Sequence, residues 1–126
     1  MDYTPTEIRL QKKSRQVVIV FDDGNHFDLP FEYLRVNSPS AEVQGHGPGQ
    51  GTLQTGKESV LVTAIEPIGH YAVRLIFDDG HDTGLYTWKY LYELGRDQAR
   101  KWEAYLDRLR EAGYARQPAP NGHGDE

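Results

Sequence analysis

The sequence contains no cysteine among its 126 residues. Disulfides, thiolate metal ligands and cysteine nucleophiles are therefore all excluded. It also contains no apolar run long enough to span a bilayer. Its N-terminus, MDYTPTEIRL, lacks the basic segment and the apolar stretch of a secretory signal. These absences predict a cytoplasmic protein that does not insert into a membrane.

Basic side chains are scarce in the body of the chain. Residues 17–88 carry three basic side chains against ten acidic ones, whereas residues 89–116 carry seven against five. Because an acidic surface repels phosphates, we expect no direct binding of nucleic acid. The length of 126 residues and the charged fraction of 26% are typical of one globular domain.

What the sequence does contain is a strand pattern that occurs twice. VVIVFDDG at 17–24 returns as VRLIFDDG at 73–80, an offset of 56 residues. In each copy an Asp-Gly pair stands between two apolar runs, which is a strong signal for a tight hairpin turn. A further strand precedes each hairpin and a short helix follows it. The sequence therefore predicts an α+β fold, in which two βββα-like repeats pair into one antiparallel-rich sheet.

Turn residues and periodicity set the boundaries of the predicted elements. Pro30 suits the start of a helix over 31–36, while Thr87 and Gly95 suit the start and stop of the next helix. The predicted strands are 7–12, 16–21, HFDL after the first turn, 59–65, 71–77 and 83–86, with a turn at 67–69. A C-terminal amphipathic helix is capped by Asp97, ends at Gly113 and carries the apolar stripe Ala99, Trp102, Tyr105, Leu106, Leu109 and Ala112.

Two segments are rich in glycine and proline. Residues 37–57 form a predicted loop, and loops of that length are usually functional or disordered. Residues 116–126 are predicted to form a disordered tail, which leaves a single domain over 1–115. The stretch 51–57 fits G-x-x-x-x-G-K, but Glu58 replaces the magnesium-binding hydroxyl and no strand leads into it. Nucleotide binding is therefore not predicted.

Histidines and aspartates at the turns permit two interpretations. An N/O site for a divalent metal could be formed by His26, His70 and His81 with Asp22, Asp78 and Asp82. Alternatively, the aspartates serve only the turns, because Asp hydrogen-bonds its own backbone and tolerates positive φ. The glycine-rich stretch 45–51 is similarly open, either as a mobile connector or as a ligand contact through His46 and Gln50.

Several stretches together resemble the DUF971 family, also called the γ-butyrobetaine hydroxylase-like N-terminal domain. They are FDDG at 21–24, Leu34-Arg35, SPSAEV at 38–43, GHYA at 69–72 and DGHDTGLY at 79–86. The resemblance covers about residues 6–95 and is to the small stand-alone bacterial members. These lack the iron- and 2-oxoglutarate-dependent oxygenase domain of the hydroxylases, so the resemblance implies no such activity and a chain that is not an enzyme.

The resemblance also bears on metal binding. In the hydroxylases, the domain holds a structural zinc through a C-x-C-x-x-C cluster and a histidine. The corresponding residues here are Ser38, Ser40, Val43 and His81. Three ligands are thus replaced, which implies that hydrogen bonding or packing takes over from the metal, and zinc or iron belongs to the family level only. The domain also occurs fused to P-loop iron–sulfur cluster carriers, which implies an accessory role near iron–sulfur or metal handling.

The sequence therefore predicts a non-catalytic binding or adaptor domain with a protein partner. Its predicted working surface joins 38–51 to 81–86, since the family builds its zinc corner from both. The predicted contact residues are Arg35, Glu42, His46, Gln50, His81, Asp82 and Tyr86, with Arg35 expected to pair with Glu42 or an aspartate. Two alternatives are a metal-binding protein or metal-dependent enzyme using His81 with His46, His26 and nearby aspartates, and a structural subunit docking through the helix 97–112.

Overall fold

The computed structural model describes residues 3–44 and 51–117. Within that part of the chain, two three-stranded antiparallel sheets and four helices confirm the α+β fold. The elements of the first half are β1 (Pro5–Gln11), β2 (Gln16–Phe21), β3 (His26–Pro30), α1 (Phe31–Val36) and α2 (Ala41–Gln44). Those of the second half are β4 (Val62–Ile68), β5 (Ala72–Phe77), β6 (Leu85–Thr87), α3 (Trp88–Arg96) and α4 (Gln98–Glu111).

The strands form two sheets, so the prediction of one common sheet is wrong. Their orders are β1-β2-β3 and β4-β5-β6, with β1 and β4 each at an edge. The two sheets share a hydrophobic core instead of a hydrogen-bonded edge. Alternate residues of the two central strands bury their side chains in that core, namely Val17, Ile19 and Phe21 of β2 and Val73, Leu75 and Phe77 of β5.

The predicted duplication is visible in the hairpin turns. Gly24 and Gly80 have φ values of 89° and 90°, which glycine adopts without a steric penalty. The Gly24 N–H donates to the Phe21 carbonyl at 2.9 Å, and the Gly80 N–H donates to the Phe77 carbonyl at 3.2 Å. The two Asp-Gly turns are thus the same turn used twice.

The strands that precede the hairpins are also equivalent. β1 and β4 each contain seven residues and each has an irregular register close to its start. At that irregularity Thr6 Oγ1 donates to the Val20 carbonyl and Thr63 Oγ1 donates to the Ile76 carbonyl, both at 3.2 Å. A repeated bulge with a repeated side-chain hydrogen bond supports duplication more strongly than the short sequence match does.

Some predicted boundaries differ from the observed ones. β4 begins at Val62 instead of residue 59, because the Val60 N–H donates to the Lys57 carbonyl in a turn. β4 also includes Pro67 and Ile68, which the sequence assigned to a turn, and the turn follows them. Pro30 is the N-cap of α1 and lies just outside the helix. The predicted loop 37–57 contains the short helix α2.

The C-terminal helices follow much of the prediction, but Asp97 stands at the N-cap of α4 without a capping hydrogen bond, since its carboxylate accepts from Arg96. Two further differences concern their extent and burial. Thr87 caps α3 by accepting from the Tyr90 N–H, as expected, but α3 continues through Gly95 to Arg96. α4 buries Tyr105 and Leu109, whereas Ala99 and Ala112 of the predicted stripe are exposed. None of the helices in the described ranges is both long and apolar enough to cross a lipid bilayer.

Candidate functional site

The two segments predicted to adjoin do meet in the structure. Ser38 Oγ lies 2.8 Å from Nε2 of His81, and Ser40 Oγ lies 2.9 Å from Thr83 Oγ1. Ser38 is fully buried and His81 is 6% exposed. Val43 is also buried, and its N–H donates to the Ser40 carbonyl at 3.0 Å. Of the residues that correspond to the zinc ligands of the hydroxylases, Ser38 and His81 are therefore joined directly by a hydrogen bond.

The same corner is tightly packed around Gly84. A Cβ atom on Gly84 would stand 2.5 Å from Ser38 Oγ and 3.1 Å from Pro39 Cδ. The Ser40 N–H donates to Ser38 Oγ at 3.2 Å, and the Gln44 side chain donates to the Ser38 carbonyl at 2.8 Å. Ser38 thus links His81, Ser40 and Gln44 through its hydroxyl and its carbonyl.

Arg35 holds the hairpin turn and the loop together. Its Nε donates to Asp79 Oδ2 at 2.9 Å, so it pairs with an aspartate, one of the two expected partner types. Its Nη1 donates to Gln54 Oε1 at 3.0 Å, and Lys57 Nζ lies 2.7 Å from the same Asp79 oxygen. These contacts fasten residues 54–57 to the second hairpin.

The carboxyl group of Asp79 is ionised at neutral pH. Burial raises its pKa, but hydrogen bonds from Lys57, from the His81 N–H and from Arg35 outweigh that effect and lower the pKa to about 2. The Asp79 carboxylate therefore keeps its negative charge and anchors two cations of the same chain, Arg35 and Lys57.

The first hairpin repeats this arrangement with a different partner. Tyr92 donates its hydroxyl to Asp23 Oδ2 at 2.7 Å, and the Asn25 side chain donates to Tyr92 Oη at 2.8 Å. Arg35 and Tyr92 belong to α1 and α3, so each helix binds the turn aspartate of the other repeat. The aspartates act as anchors between the repeats.

The histidines at the turns do not form a common site with these aspartates. His26 Nε2 lies 2.8 Å from Asp28 Oδ1 on an exposed strand, while the backbone carbonyl of His70 accepts from Trp88 Nε1 at 2.7 Å. Within residues 3–44 and 51–117, no group of three or more histidine, aspartate or glutamate side chains is placed to hold a metal ion. His46 lies outside the described residues.

Three of the four predicted contact residues whose side chains the structure describes are buried. Tyr86 has no exposed area, and its hydroxyl donates to the Leu34 carbonyl at 2.6 Å. Its placement on a binding surface was wrong, because β6 directs it into the core opposite Val73. Arg35 and His81 are buried too, and Asp82 is half-buried. The Glu42 side chain and the residues His46 and Gln50 lie outside the described part of the structure.

An aromatic surface that the sequence did not predict surrounds Trp88. Trp88 is half-buried and borders two adjoining grooves, of about 510 Å³ and 420 Å³. The first groove is also lined by Tyr3 and by Tyr71, whose exposed fraction is 54%. The second is lined by aliphatic residues from β1, β4 and β5, namely Ile8, Leu10, Ile65, Pro67 and Val73. We call these residues together the Trp88 surface.

The internal repeat gives Trp88 a counterpart that is buried more completely. The equivalent of Trp88 in the first repeat is Phe31, and both are the first residue of their helix. Phe31 is 1% exposed and lies beside Glu58 and Val60, which precede β4. Trp88 is half-buried, and Tyr3 and Thr4, which precede β1, line the first groove with it. Aligning the two repeats would have pointed to Trp88 as the counterpart of Phe31.

Comparisons with known proteins agree with the fold. The family model described as gamma-butyrobetaine hydroxylase-like, N-terminal, matches residues 8–92. An NMR solution structure matches with 53% sequence identity and a TM-score of 0.80, covering 94% of this chain and 88% of that chain. A second NMR solution structure matches with 47% identity and a TM-score of 0.79, covering 94% of both chains.

A crystal structure of a protein from Acidithiobacillus ferrooxidans is also similar. It is 43% identical with a TM-score of 0.63, covers 73% of this chain and 92% of that chain, and is described as a DUF971 protein of unknown function. No curated protein matches the chain.

Proposed function

The chain belongs to the γ-butyrobetaine hydroxylase-like N-terminal family, and we propose that it is a non-catalytic adaptor domain that binds another protein through the Trp88 surface. One observation carries the proposal: the half-buried Trp88 borders both a groove with aromatic and polar lining and a groove lined by aliphatic side chains. Tryptophan and tyrosine contribute most to binding energy in protein interfaces, and clustered apolar grooves on a surface mark interaction sites.

The Trp88 side chain is held in position for such a contact. Its Nε1 donates to the His70 carbonyl at 2.7 Å, and its backbone N–H donates to the Tyr71 carbonyl at 3.1 Å. The indole orientation is thus fixed before a partner arrives, which lowers the entropic cost of binding. Lys89 and His70, which are both exposed, also line the larger groove. The matching partner surface is apolar at its centre and polar around it.

The non-catalytic part of the proposal is supported by the Ser38–His81 corner. A serine hydroxyl next to an imidazole resembles the start of a catalytic pair, but a nucleophile must reach its substrate. Here Ser38 is fully buried and Gly84 packs against its hydroxyl. As the partner class, we propose the iron–sulfur or metal-handling machinery that the family resemblance implies.

The test compares two matched substitutions in the full chain. Tyr71→Glu places a charge on the Trp88 surface, and Leu85→Glu places one on an exposed apolar residue of β6, whose exposed fraction is 42%. Proteins captured from cells by the wild-type chain are identified and purified, and their affinities are measured by calorimetry. We expect Tyr71→Glu to weaken binding by roughly 30-fold or more, as for a hot-spot residue, and Leu85→Glu to bind like the wild type.

Other outcomes would favour the alternatives. Unchanged affinity of Tyr71→Glu would defeat the proposal. Loss of the partner only in Arg108→Glu, on the exposed side of α4, would indicate docking through that helix. Stoichiometric zinc or iron in untagged protein, lost in His81→Ala, would indicate the metal-binding function instead.

A further inference from the structure

A cavity separate from the two grooves at Trp88 lies at the opposite end of α3. Its volume is about 650 Å³, and it is lined by residues of α1, α3 and α4. Trp102 of α4 lies at this cavity with its ring edge-on to Tyr33, at a centroid distance of 6.3 Å. Arg116, which lies beyond the end of the last helix, also lines the cavity.

Arg116 occupies this site as a ligand would. Its Nε lies 2.8 Å from Glu32 Oε2, and its Nη2 donates to the other carboxylate oxygen. The centre of its guanidinium group stands 5.3 Å from the centroid of the Trp102 ring. A planar guanidinium group binds well between a carboxylate that accepts two hydrogen bonds from it and the face of an aromatic ring.

A second buried carboxylate holds the neighbouring residues. Glu58 is 8% exposed, and its carboxylate accepts from the Gln117 N–H at 2.6 Å and from the Tyr114 hydroxyl at 3.1 Å. Burial raises the pKa of Glu58, but these hydrogen bonds and Arg116 outweigh it and keep the pKa below its usual value. We call residues 114–117 the C-terminal strap. The strap lies on two carboxylates, Glu32 and Glu58, that have little other access to solvent.

The strap is held by side-chain contacts more than by secondary structure. It begins after Gly113, whose φ of 74° ends α4, and its residues form neither helix nor strand. The Arg116 side chain remains 34% exposed, whereas that of Glu32 is 8% exposed. The Glu32 carboxylate is therefore buried within the fold, whereas its partner Arg116 is partly exposed to solvent. A buried carboxylate that loses its cation is costly, so the site favours a cation, whichever chain supplies it.

We propose that Glu32, Glu58 and Trp102 form a binding site for an arginine on an extended segment of another protein, and that the C-terminal strap fills it in the free state. The partner segment has the chemistry of the strap, an arginine with a tyrosine two residues before it. Binding displaces the strap and leaves both carboxylates paired. The site is independent of the Trp88 surface, so either proposal can fail without the other.

The test opens the site in the full chain with Arg116→Ala. The probe is a capped synthetic peptide, Gly-Tyr-Ala-Arg-Gln, compared with the same peptide carrying alanine in place of arginine. Binding is followed by NMR at the Trp102 indole N–H, up to millimolar peptide. We expect the arginine peptide to bind Arg116→Ala at least tenfold more tightly than the wild type, whose own strap competes intramolecularly. The alanine peptide should bind at least tenfold more weakly.

The double variant Glu32→Gln/Arg116→Ala serves as the matched control and should lose the peptide. Equal binding of the peptide to the wild type and to Arg116→Ala, or binding to neither, would overturn the proposal and leave the strap as terminal packing. If Arg116→Ala does not fold, Arg116→Gln replaces it. In addition, the wild-type Arg116 Nε–H resonance must shift toward its free position as the peptide is added. A resonance that does not move would likewise overturn the proposal.

Discussion

Tyr33 and Tyr90 occupy the same position in the two repeats, and each donates its hydroxyl to the end of the other repeat's helix. Tyr33 donates to the Leu94 carbonyl in the last turn of α3 at 2.6 Å. Tyr90 donates to the carbonyl of Asn37, the C-cap of α1, at 2.5 Å. Carbonyl groups at helix ends have no partner within the helix. Each of these two bonds therefore supplies a donor to a carbonyl at the end of the other repeat's helix.

We predict that removing either hydroxyl destabilises the fold. Tyr33→Phe and Tyr90→Phe should each lower the free energy of unfolding by about 1–2 kcal/mol, because a buried carbonyl loses its donor. Tyr33→Phe should cost more, since Tyr33 is 1% exposed while Tyr90 is only half-buried. Urea unfolding measures both. Tyr71→Phe, at an exposed tyrosine, should change stability by less than about 0.5 kcal/mol, and an equal loss there would refute this explanation.

The charge of Asp79 predicts a dependence of stability on pH. Its folded-state pKa of about 2 lies below that of an unfolded aspartate, about 3.9. The ionised group therefore stabilises the fold above about pH 4, and this contribution disappears as the pH falls through the folded-state pKa. Allowing for partial exposure, we expect Asp79→Asn to be about 1–2 kcal/mol less stable than the wild type at pH 7.

The difference between wild type and Asp79→Asn should shrink steadily between pH 4 and pH 2, as measured by urea titrations at each pH. Asp22→Asn, at an exposed position of the other turn, provides the matched control and should stay within about 0.5 kcal/mol of the wild type at pH 7. A pH-independent cost of Asp79→Asn would mean that the charge is not what Asp79 contributes.

Restoring cysteines should create a metal site at the Ser38–His81 corner. The triple variant Ser38→Cys, Ser40→Cys, Val43→Cys is expected to bind one zinc ion per chain, because three thiolates and an imidazole form a closed tetrahedral set. Elemental analysis and the rise in thermal stability on adding zinc would show it. His81→Ala in that background should abolish stoichiometric binding. Zinc that survives this change would show that His81 is not the fourth ligand.

Gly95 should resist substitution even though it lies inside a helix. Alanine favours helices over glycine by about 1 kcal/mol, but a Cβ atom at Gly95 would stand 2.3 Å from the Phe27 ring. We expect Gly95→Ala to lower the free energy of unfolding by about 1–3 kcal/mol, as for overpacking. Adding Phe27→Leu should recover part of that loss in a double-mutant cycle. A stabilised Gly95→Ala variant would show that the ring moves aside freely.

Local chemistry made the turns and helix starts predictable from the sequence. Asp-Gly fixed both hairpins and Thr87 fixed the start of α3, because these signals act over a few residues. The run 59–61 was misread as strand for the same reason: Val60 and Leu61 suit a strand, but the Lys57–Val60 turn keeps the run out of the ladder. Gly95 was misread as a helix stop because its cause, the Phe27 ring, is distant in sequence.

The candidate sites depended on contacts that no local pattern encodes. The resemblance to the family correctly predicted that Ser38 and His81 lie close together. It did not predict that both side chains are buried. Arg116 was assigned to a tail because its neighbours are proline- and glycine-rich, and composition does not reveal a carboxylate such as Glu32 on a distant helix. The position of Trp88 was readable only by aligning the two repeats, which requires knowing that Phe31 is covered.

The exchanged hydroxyl bonds of Tyr33 and Tyr90 have the form of a contact between two identical subunits, in which residue i of one meets residue j of the other and the reverse also holds. Such reciprocity makes the two halves of this chain complementary to each other. Each half, on its own, would leave a helix end without its donor and would lose the core contacts that the other half supplies. The burial of the two helix starts is not reciprocal in the same way, since Phe31 is 1% exposed whereas Trp88 stays half-buried.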